Sequence, residues 1–226
     1  MVTNVRGVRD GRPGRIKASL EEQVAYYRAQ APEYRRVDLS AGSLAVAREK
    51  LLTLGPVRHI LELAPGTGDW TKELVRIGRA VTAVDVSPEM IEINRERVAN
   101  PRVEYVQADV FDWTPQQQYD LVFFAFWLSH VPPDLVDIFL LKARDAVRPG
   151  GHLFIVDQCD DLPGFAPAKN EGIFEERTLS DGRTFTIVKI FYHPGVLAEK
   201  VRQLGFEVAA ERVDTIFYLS GTRSTP

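Results

Sequence analysis

The sequence predicts an α/β protein in which a mostly parallel sheet is covered on both faces by helices. Three observations carry that reading. Short β-branched runs alternate with amphipathic segments from about residue 59 to residue 157, the pattern of strands joined by right-handed helical crossovers. The runs HILELA, AVTAVDV, YDLVFFAF and GGHLFIVD are almost continuously apolar, as strands buried on two faces must be. The chain has 226 residues, 45% hydrophobic and 26% charged, enough for one sizeable core and short for two.

Taken in order, residues 1–18 carry Arg6, Arg9, Arg12, Arg15 and Lys17 among glycines. They are expected to form a basic flexible tail, with no apolar core to make them a secretory signal. A single domain is expected over 19–226. Its opening segment, SLEEQVAYYRAQ at 19–30, starts with a Ser-x-x-Glu capping box and keeps helical spacing. A second helix is expected over 43–54, stopped by Gly55-Pro56, so that 19–55 supplies N-terminal cap helices. The strands quoted above then alternate with helices from Asp69, Pro88 and about Pro133, and RVEYVQAD adds one more strand. Past Asp157 the pattern changes. Residues 175–180 and 183–192 are strand-like around Asp181-Gly182, a hairpin signal, which predicts an inserted antiparallel ribbon over 172–192. A helix over 194–204 follows, and then two strands whose link is too short for a parallel crossover, so the last strand runs reversed.

Charge and composition narrow the partners. A net charge of −3 gives the chain no electrostatic reason to seek nucleic acid or an acidic membrane face. The single cysteine, Cys159, excludes an internal disulfide framework and a cysteine-rich metal site, and suits a reducing compartment. No apolar run reaches the roughly 18 residues of a membrane helix. The expectation is a cytoplasmic protein, monomer or homodimer, that acts on a small molecule without a metal.

The stretch LELAPGTGDW, residues 61–70, reads as a strand, a glycine turn and a helix. Gly66 and Gly68 let the backbone approach a ligand closely, and alone they fit a nicotinamide dinucleotide, a flavin or S-adenosylmethionine. The surrounding charges discriminate. Glu62 and Asp69 bracket the turn, no cation comes before Lys72, and Trp70-Thr71 stands where the dinucleotide fingerprint has its third glycine. Carboxylates repel a pyrophosphate and attract the ammonium and sulfonium of S-adenosylmethionine. Asp85, ending AVTAVD, is placed for ribose hydroxyls, and Asp109 adds a carboxylate at the same sheet edge.

The motifs ELAPGTGDW, AVDVSPEM, VQADVFDW, YDLVFFAFWLSHVP and LKARDAVRPGGHLFIVD, in this order and spacing, resemble the class I S-adenosylmethionine-dependent methyltransferases of small-molecule type. The resemblance covers roughly residues 23–221. It implies a Rossmann-like three-layer sandwich with seven strands in the order 3-2-1-4-5-7-6, strand 7 antiparallel. It implies that Glu62, Ala64, Gly66 and Gly68 line the methionine and ribose, Asp85 binds the ribose, and Val86 and Met90 flank the adenine. Asp109 and the Val110 amide would read the adenine edge, with Phe124 and Phe126 beneath the methionine. Tyr26, Tyr27 and Tyr34 match, more loosely, the tyrosine-bearing first helices that close over the cofactor in relatives. The implied function is methyl transfer to oxygen or nitrogen of a small molecule, with S-adenosylhomocysteine as product.

Methyl transfer is an in-line displacement, so alignment and exclusion of water come first and a base matters only for an acceptor that must lose a proton. His130, in FWLSHVP, is the first candidate for that base and Asp157 the second. Tyr34, Trp127, His130 and Tyr192 are the candidate acceptor contacts, and the rings of Phe123, Phe124, Phe126 and Trp127 suggest an apolar or aromatic natural-product-like acceptor. His59 and His152 are expected to be structural and His193 a loop residue. Arg177, Arg183 and Lys189 either meet an acidic acceptor or, as the commoner outcome, form a solvated face. Two other readings stand beside methyl transfer: an NAD(P)-dependent oxidoreductase and a catalytically silent cofactor-binding regulatory subunit. A nucleic-acid methyltransferase is disfavoured, because FAFWLSHVPPD lacks the Asn/Asp-Pro-Pro-aromatic motif that cradles a flipped base.

Overall fold

The structure is a computed structural model that describes residues 13–34, 41–159 and 173–225. Its elements run α1 (Pro13–Gln30), α2 (Ala41–Leu52), β1 (Val57–Leu63), α3 (Thr71–Ile77), β2 (Gly78–Asp85), α4 (Pro88–Val98), β3 (Val103–Gln107), β4 (Tyr119–Ala125), α5 (Pro133–Ala146), β5 (Val147–Gln158), β6 (Phe174–Thr178), β7 (Thr184–Val188), α6 (Pro194–Gln203), β8 (Phe206–Val213) and β9 (Ile216–Arg223). Short 3-10 turns occupy Ala31–Glu33 and Leu128–His130. Seven strands pair in the order β3-β2-β1-β4-β5-β9-β8. With β8 and β9 as the sixth and seventh strands of this sheet, that is the expected 3-2-1-4-5-7-6. The first five are parallel and β9 is antiparallel to both neighbours.

Strand alternation divides the core in two. Leu61, Leu63, Val122, Phe124, Leu153 and Ile155 face α5 and α6, meeting Phe139, Leu140, Leu197 and Val201. Their neighbours Ile60, Leu121, Phe123, Phe154 and Val156 face the other way, towards Leu51 of α2 and Leu74 of α3. The continuous apolar runs are therefore a two-sided burial. Phe123, Phe154 and Tyr218 stack across β4, β5 and β9 with ring centroids 6.1 and 5.6 Å apart. Among the described residues no helix is long and apolar enough to cross a membrane.

The ribbon β6–β7 forms its own two-stranded sheet, which on its own would be marginal in water. Helix α1 supports it. Tyr26 packs on Leu179 and Ile187, Glu22 Oε1 accepts from the Thr186 amide at 2.7 Å, and Gln23 Oε1 accepts from the Val188 amide at 3.0 Å. Two side chains of a helix thus stand in for the strand that the open edge of β7 lacks.

Several boundaries differ from those expected. Helix α1 begins at Pro13, not residue 19: proline is pre-set for the first helical turn, and Ser19 is buried within the helix instead of capping it. The first twelve residues of the basic tail lie outside the described residues, as does residue 172 of the ribbon. Helix α3 begins at Thr71 and not Asp69, because 65–68 first close a turn, the Gly68 amide donating to the Pro65 carbonyl at 3.3 Å. Strand β3 stops at Gln107, leaving Asp109 in the turn beyond.

Candidate active site

A cavity of about 480 Å³ opens at the carboxyl ends of β1, β2 and β4 and is roofed by α1 and the ribbon, where open α/β sheets bind their ligands. Its floor is the turn after β1. Ala64, Gly66 and Gly68 all take positive φ, at 52°, 55° and 90°. For Ala64 this is a strained conformation of the kind that clusters at functional sites. A Cβ on Gly68 would fall 2.7 Å from Asn94 Oδ1, so this glycine serves the packing of α4 against the turn. Gly68 lies off the cavity wall, and of the two glycines only Gly66 faces the space.

Two carboxylates brace that turn. Glu62 is 1% exposed and accepts from Thr71 Oγ1 at 2.7 Å; burial pushes its pKa up to about 8, with Asp85 adding and the Thr71 bond opposing. Asp85 accepts from the Gly66 amide at 3.1 Å and the Ser87 amide at 2.9 Å, and burial raises its pKa against those bonds. Each oxygen keeps a lone pair for a ligand hydroxyl. Asn94 ties the back of the turn, donating to the Gly66 carbonyl at 3.1 Å and Thr71 Oγ1 at 3.0 Å. Asp69 differs from expectation: Arg97, brought in by α4, pairs with it at 2.9 Å and donates to the Thr67 carbonyl at 3.1 Å. Glu62, Asp69 and Asp85 all line the cavity, and of the three Asp69 is paired with an arginine. Trp70 is buried, packs on Phe123 and lies under the Arg48 guanidinium.

Along the wall the cavity meets Val86, Met90, Asp109, Val110, Phe126 and Trp127. Phe126 has φ 55° and its amide donates to the Val156 carbonyl at 2.8 Å, which swings its ring out of the strand direction. Phe124, expected beneath the methionine, is fully buried on the α5 face, 5.0 Å from the Phe139 ring. The pleat decides this: Phe123 and Ala125 line the cavity, and Phe124 points away.

At the other end stand Tyr27, Tyr34, His130, Gln158, Arg177 and Lys189. His130 Nδ1 is 2.8 Å from the Val188 carbonyl, which only accepts, so Nδ1 carries the proton and Nε2 receives the Tyr27 hydroxyl at 2.9 Å. Burial, then the charge of Lys189, holds the His130 pKa well below its ordinary value, and burial raises Tyr27. Asp157 is 1% exposed and turns away from the cavity. Its oxygens accept from the amides of Ser129 at 2.9 Å and Gln158 at 2.8 Å, and burial pushes its pKa up. Tyr192, expected at the acceptor, instead donates to the Val131 carbonyl at 3.3 Å outside the cavity. His193 caps α6, accepting from the Gly195 amide at 3.1 Å. Arg183 sits at the exposed ribbon tip, paired with Asp181 at 2.7 Å.

Lys189 departs most from expectation. It is 7% exposed, and its Nζ donates to Ser129 Oγ at 3.1 Å and Gln158 Oε1 at 2.7 Å. Gln23, Ser129 and Gln158 drew no attention in the sequence. Gln23 donates to the His130 carbonyl at 3.2 Å while accepting from Val188, so one amide ties α1, the 3-10 turn and β7 together. The only sequence signal for it is a polar residue on the apolar face of α1.

This geometry has close counterparts. A family model described as a methyltransferase domain matches residues 60–151. Among solved structures, the chain of the "DhpI-SAH complex structure" is 38% identical, with 93% of this chain and 99% of that one covered and a TM-score of 0.80. That of the "DhpI-SAM-HEP complex" is 40% identical over 90% and 97%, with a TM-score of 0.78. Demethylmenaquinone methyltransferase of Tropheryma whipplei is 30% identical over 48% of this chain and 45% of its own; the chain spans about half the length of the curated relatives it matches first. A sheet of this order, a strained turn between two buried carboxylates and near-complete overlap with a chain that binds the spent cofactor agree: the chain belongs to the class I S-adenosylmethionine-dependent methyltransferases.

Proposed function

We propose that the protein transfers the methyl group of S-adenosylmethionine to an oxygen or nitrogen of a small-molecule acceptor. The observation that carries this reading is the continuity of one cavity from the Glu62–Asp85 turn to the Tyr27–His130–Lys189 end. Donor and acceptor then share one enclosed space, as an in-line displacement requires. The cofactor supplies a methyl already activated by its sulfonium. Glu62 faces the ammonium of the amino-acid end, Asp85 receives the ribose, Val86 and Met90 flank the adenine, and Asp109 with the Val110 amide reads its edge. Helix α1 and the ribbon exclude water from the space between. DhpI, a chain of the same fold, was solved with SAM and HEP together, which supports a second small molecule beside the donor.

The acceptor end argues for a polar partner over the aromatic one expected from the rings, since Phe124 is spent on packing, Phe123 is 1% exposed, and the end wall carries Lys189, Arg177, Gln158 and Tyr27. A thermal-shift comparison tests the reading: S-adenosylhomocysteine raises the melting temperature and NADH does not. The reverse result excludes methyl transfer in favour of a nicotinamide oxidoreductase.

A further inference from the structure

We infer that the acceptor end of the cavity is an oxyanion subsite, in which Lys189 and Arg177 seat a carboxylate or phospho-oxyanion of the acceptor. The inference rests on the methyltransferase reading and names the acceptor class within it.

Four observations converge. The first is the built position of Lys189. A lysine is rarely buried to 7% exposure, and this one lines the cavity with its ammonium held by Ser129 Oγ and Gln158 Oε1, residues of the 3-10 turn and of β5. Two of its three protons are taken by these oxygens; Nζ also lies 5.1 Å from the Phe191 ring centroid, and the third proton has no oxygen partner among the described residues, so an anion can take it. Burial lowers the Lys189 pKa and Asp157 opposes the fall; an incoming anion adds to what Asp157 does.

The second is Arg177, which lines the same end and is close enough to Lys189 and His130 to lower the basicity of both, after burial. Only its Nε is engaged, as an ion pair 2.9 Å from Glu175 Oε1 that is too bent for a hydrogen bond. The terminal nitrogens of the guanidinium fork, suited to two parallel bonds with a carboxylate or phosphate, make no hydrogen bond among the described residues. Two cations thus converge on one wall without a ligating carboxylate between them.

The third is the disposition of the nearby acids. Asp157 spends both oxygens on the amides of Ser129 and Gln158, and Glu175 is held by Arg177. Neither lines the cavity; among the described acids that do, Glu62, Asp69, Asp85, Asp109 and Asp112 belong to the strand-end turns and Glu21 to α1, and none of them is hydrogen-bonded or ion-paired to Lys189 or Arg177.

The fourth is that the obvious base is occupied. His130 gives its Nδ1 proton to the Val188 carbonyl and its Nε2 lone pair to Tyr27, and Asp157 does not reach the cavity. An acceptor that enters already ionised needs no proton removed, which is the demand these side chains are least equipped to meet.

The test uses the full chain saturated with S-adenosylhomocysteine, titrated by calorimetry with inorganic phosphate, benzoate and neutral benzamide. At least one anion is expected to bind and benzamide is not, with phosphate the tighter if the acceptor is a phospho-compound and benzoate if it is a carboxylic acid. Lys189→Met should weaken the bound anion roughly ten- to a hundredfold, the range of a charged hydrogen bond, and Arg177→Gln should weaken it in the same direction, both with the affinity for S-adenosylhomocysteine retained. Should Lys189→Met fail to fold, the partly exposed Arg177 decides the matter alone. Benzamide binding as tightly as benzoate, neither anion binding, or anion affinity unchanged in the variants would overturn the subsite. Failure of the wild-type chain to bind S-adenosylhomocysteine would instead sink the methyltransferase reading.

Discussion

Glu62, near the end of β1, is a buried carboxyl. Because burial lifts its pKa to about 8, at neutral pH the fold holds a proton that the unfolded chain, with a carboxyl near 4.3, has released. The raised value therefore means stability that is full below about pH 4.3 and is lost as pH rises towards 8. A ligand ammonium beside Glu62 favours the carboxylate and expels that proton. Affinity for S-adenosylhomocysteine should rise with pH between about 6 and 8, by at most tenfold per pH unit for one proton. Glu62→Gln should flatten the dependence and weaken binding most at pH 8; calorimetry in buffers of different ionisation heat reads both effects, and a flat wild-type profile contradicts the assignment. Glu62 was legible in the sequence because it lies within a few residues of the turn, and Asp85, which accepts from Gly66 across 19 positions, because it ends the next strand of the alternating pattern. Lys189 was not: the oxygens that hold it belong to Ser129 and Gln158, and nothing local separates a buried lysine on a ribbon from a solvated one. The pairing of Asp69 was hidden for the same reason, since its partner Arg97 lies one helix further on.

At the scale of elements, α1 and β7 act as one piece. The Val188 amide and the His130 carbonyl both depend on Gln23. Gln23→Leu keeps the size of the side chain and strands two buried backbone groups, each costing about 1–3 kcal/mol. The expected outcome is a comparable loss in denaturant unfolding, with exchange of the Val188 amide accelerated more than that of amides in β4. Equal acceleration everywhere would show that Gln23 supports the whole core and not this junction. The elements themselves were largely readable, because a two-sided parallel strand and an Asp-Gly turn are written in local pattern. The ends of α1 and α3 were not, since a Ser-x-x-Glu box inside a helix looks the same as one that starts it, and the turn of 65–68 displaced the start of α3.

For the whole molecule, the parallel sheet was legible in the alternation of elements and the reversed last strand in the short link between β8 and β9, while the strand order was implied by the resemblance of the motifs to the methyltransferase family; the roof over the cavity was not legible, because no local pattern says that a helix at one end of the chain covers a ribbon near the other. That roof should respond to ligand as a unit. With S-adenosylhomocysteine at a hundred times its dissociation constant, openings that release it become about 2.7 kcal/mol costlier. Hydrogen exchange in α1 and β6–β7 should slow together by about a hundredfold, while the already protected strands β1, β4 and β5 change little. Slowing confined to α1 would contradict a joint roof. The ribbon has one more consequence. Since β6 and β7 pair, among the described residues, only with each other, residues there can be exchanged without breaking a rung of the central sheet or touching the glycine turn after β1. If Lys189 and Arg177 seat the acceptor as inferred above, the protein's choice of acceptor is free to drift on a part whose alteration leaves its chemistry intact.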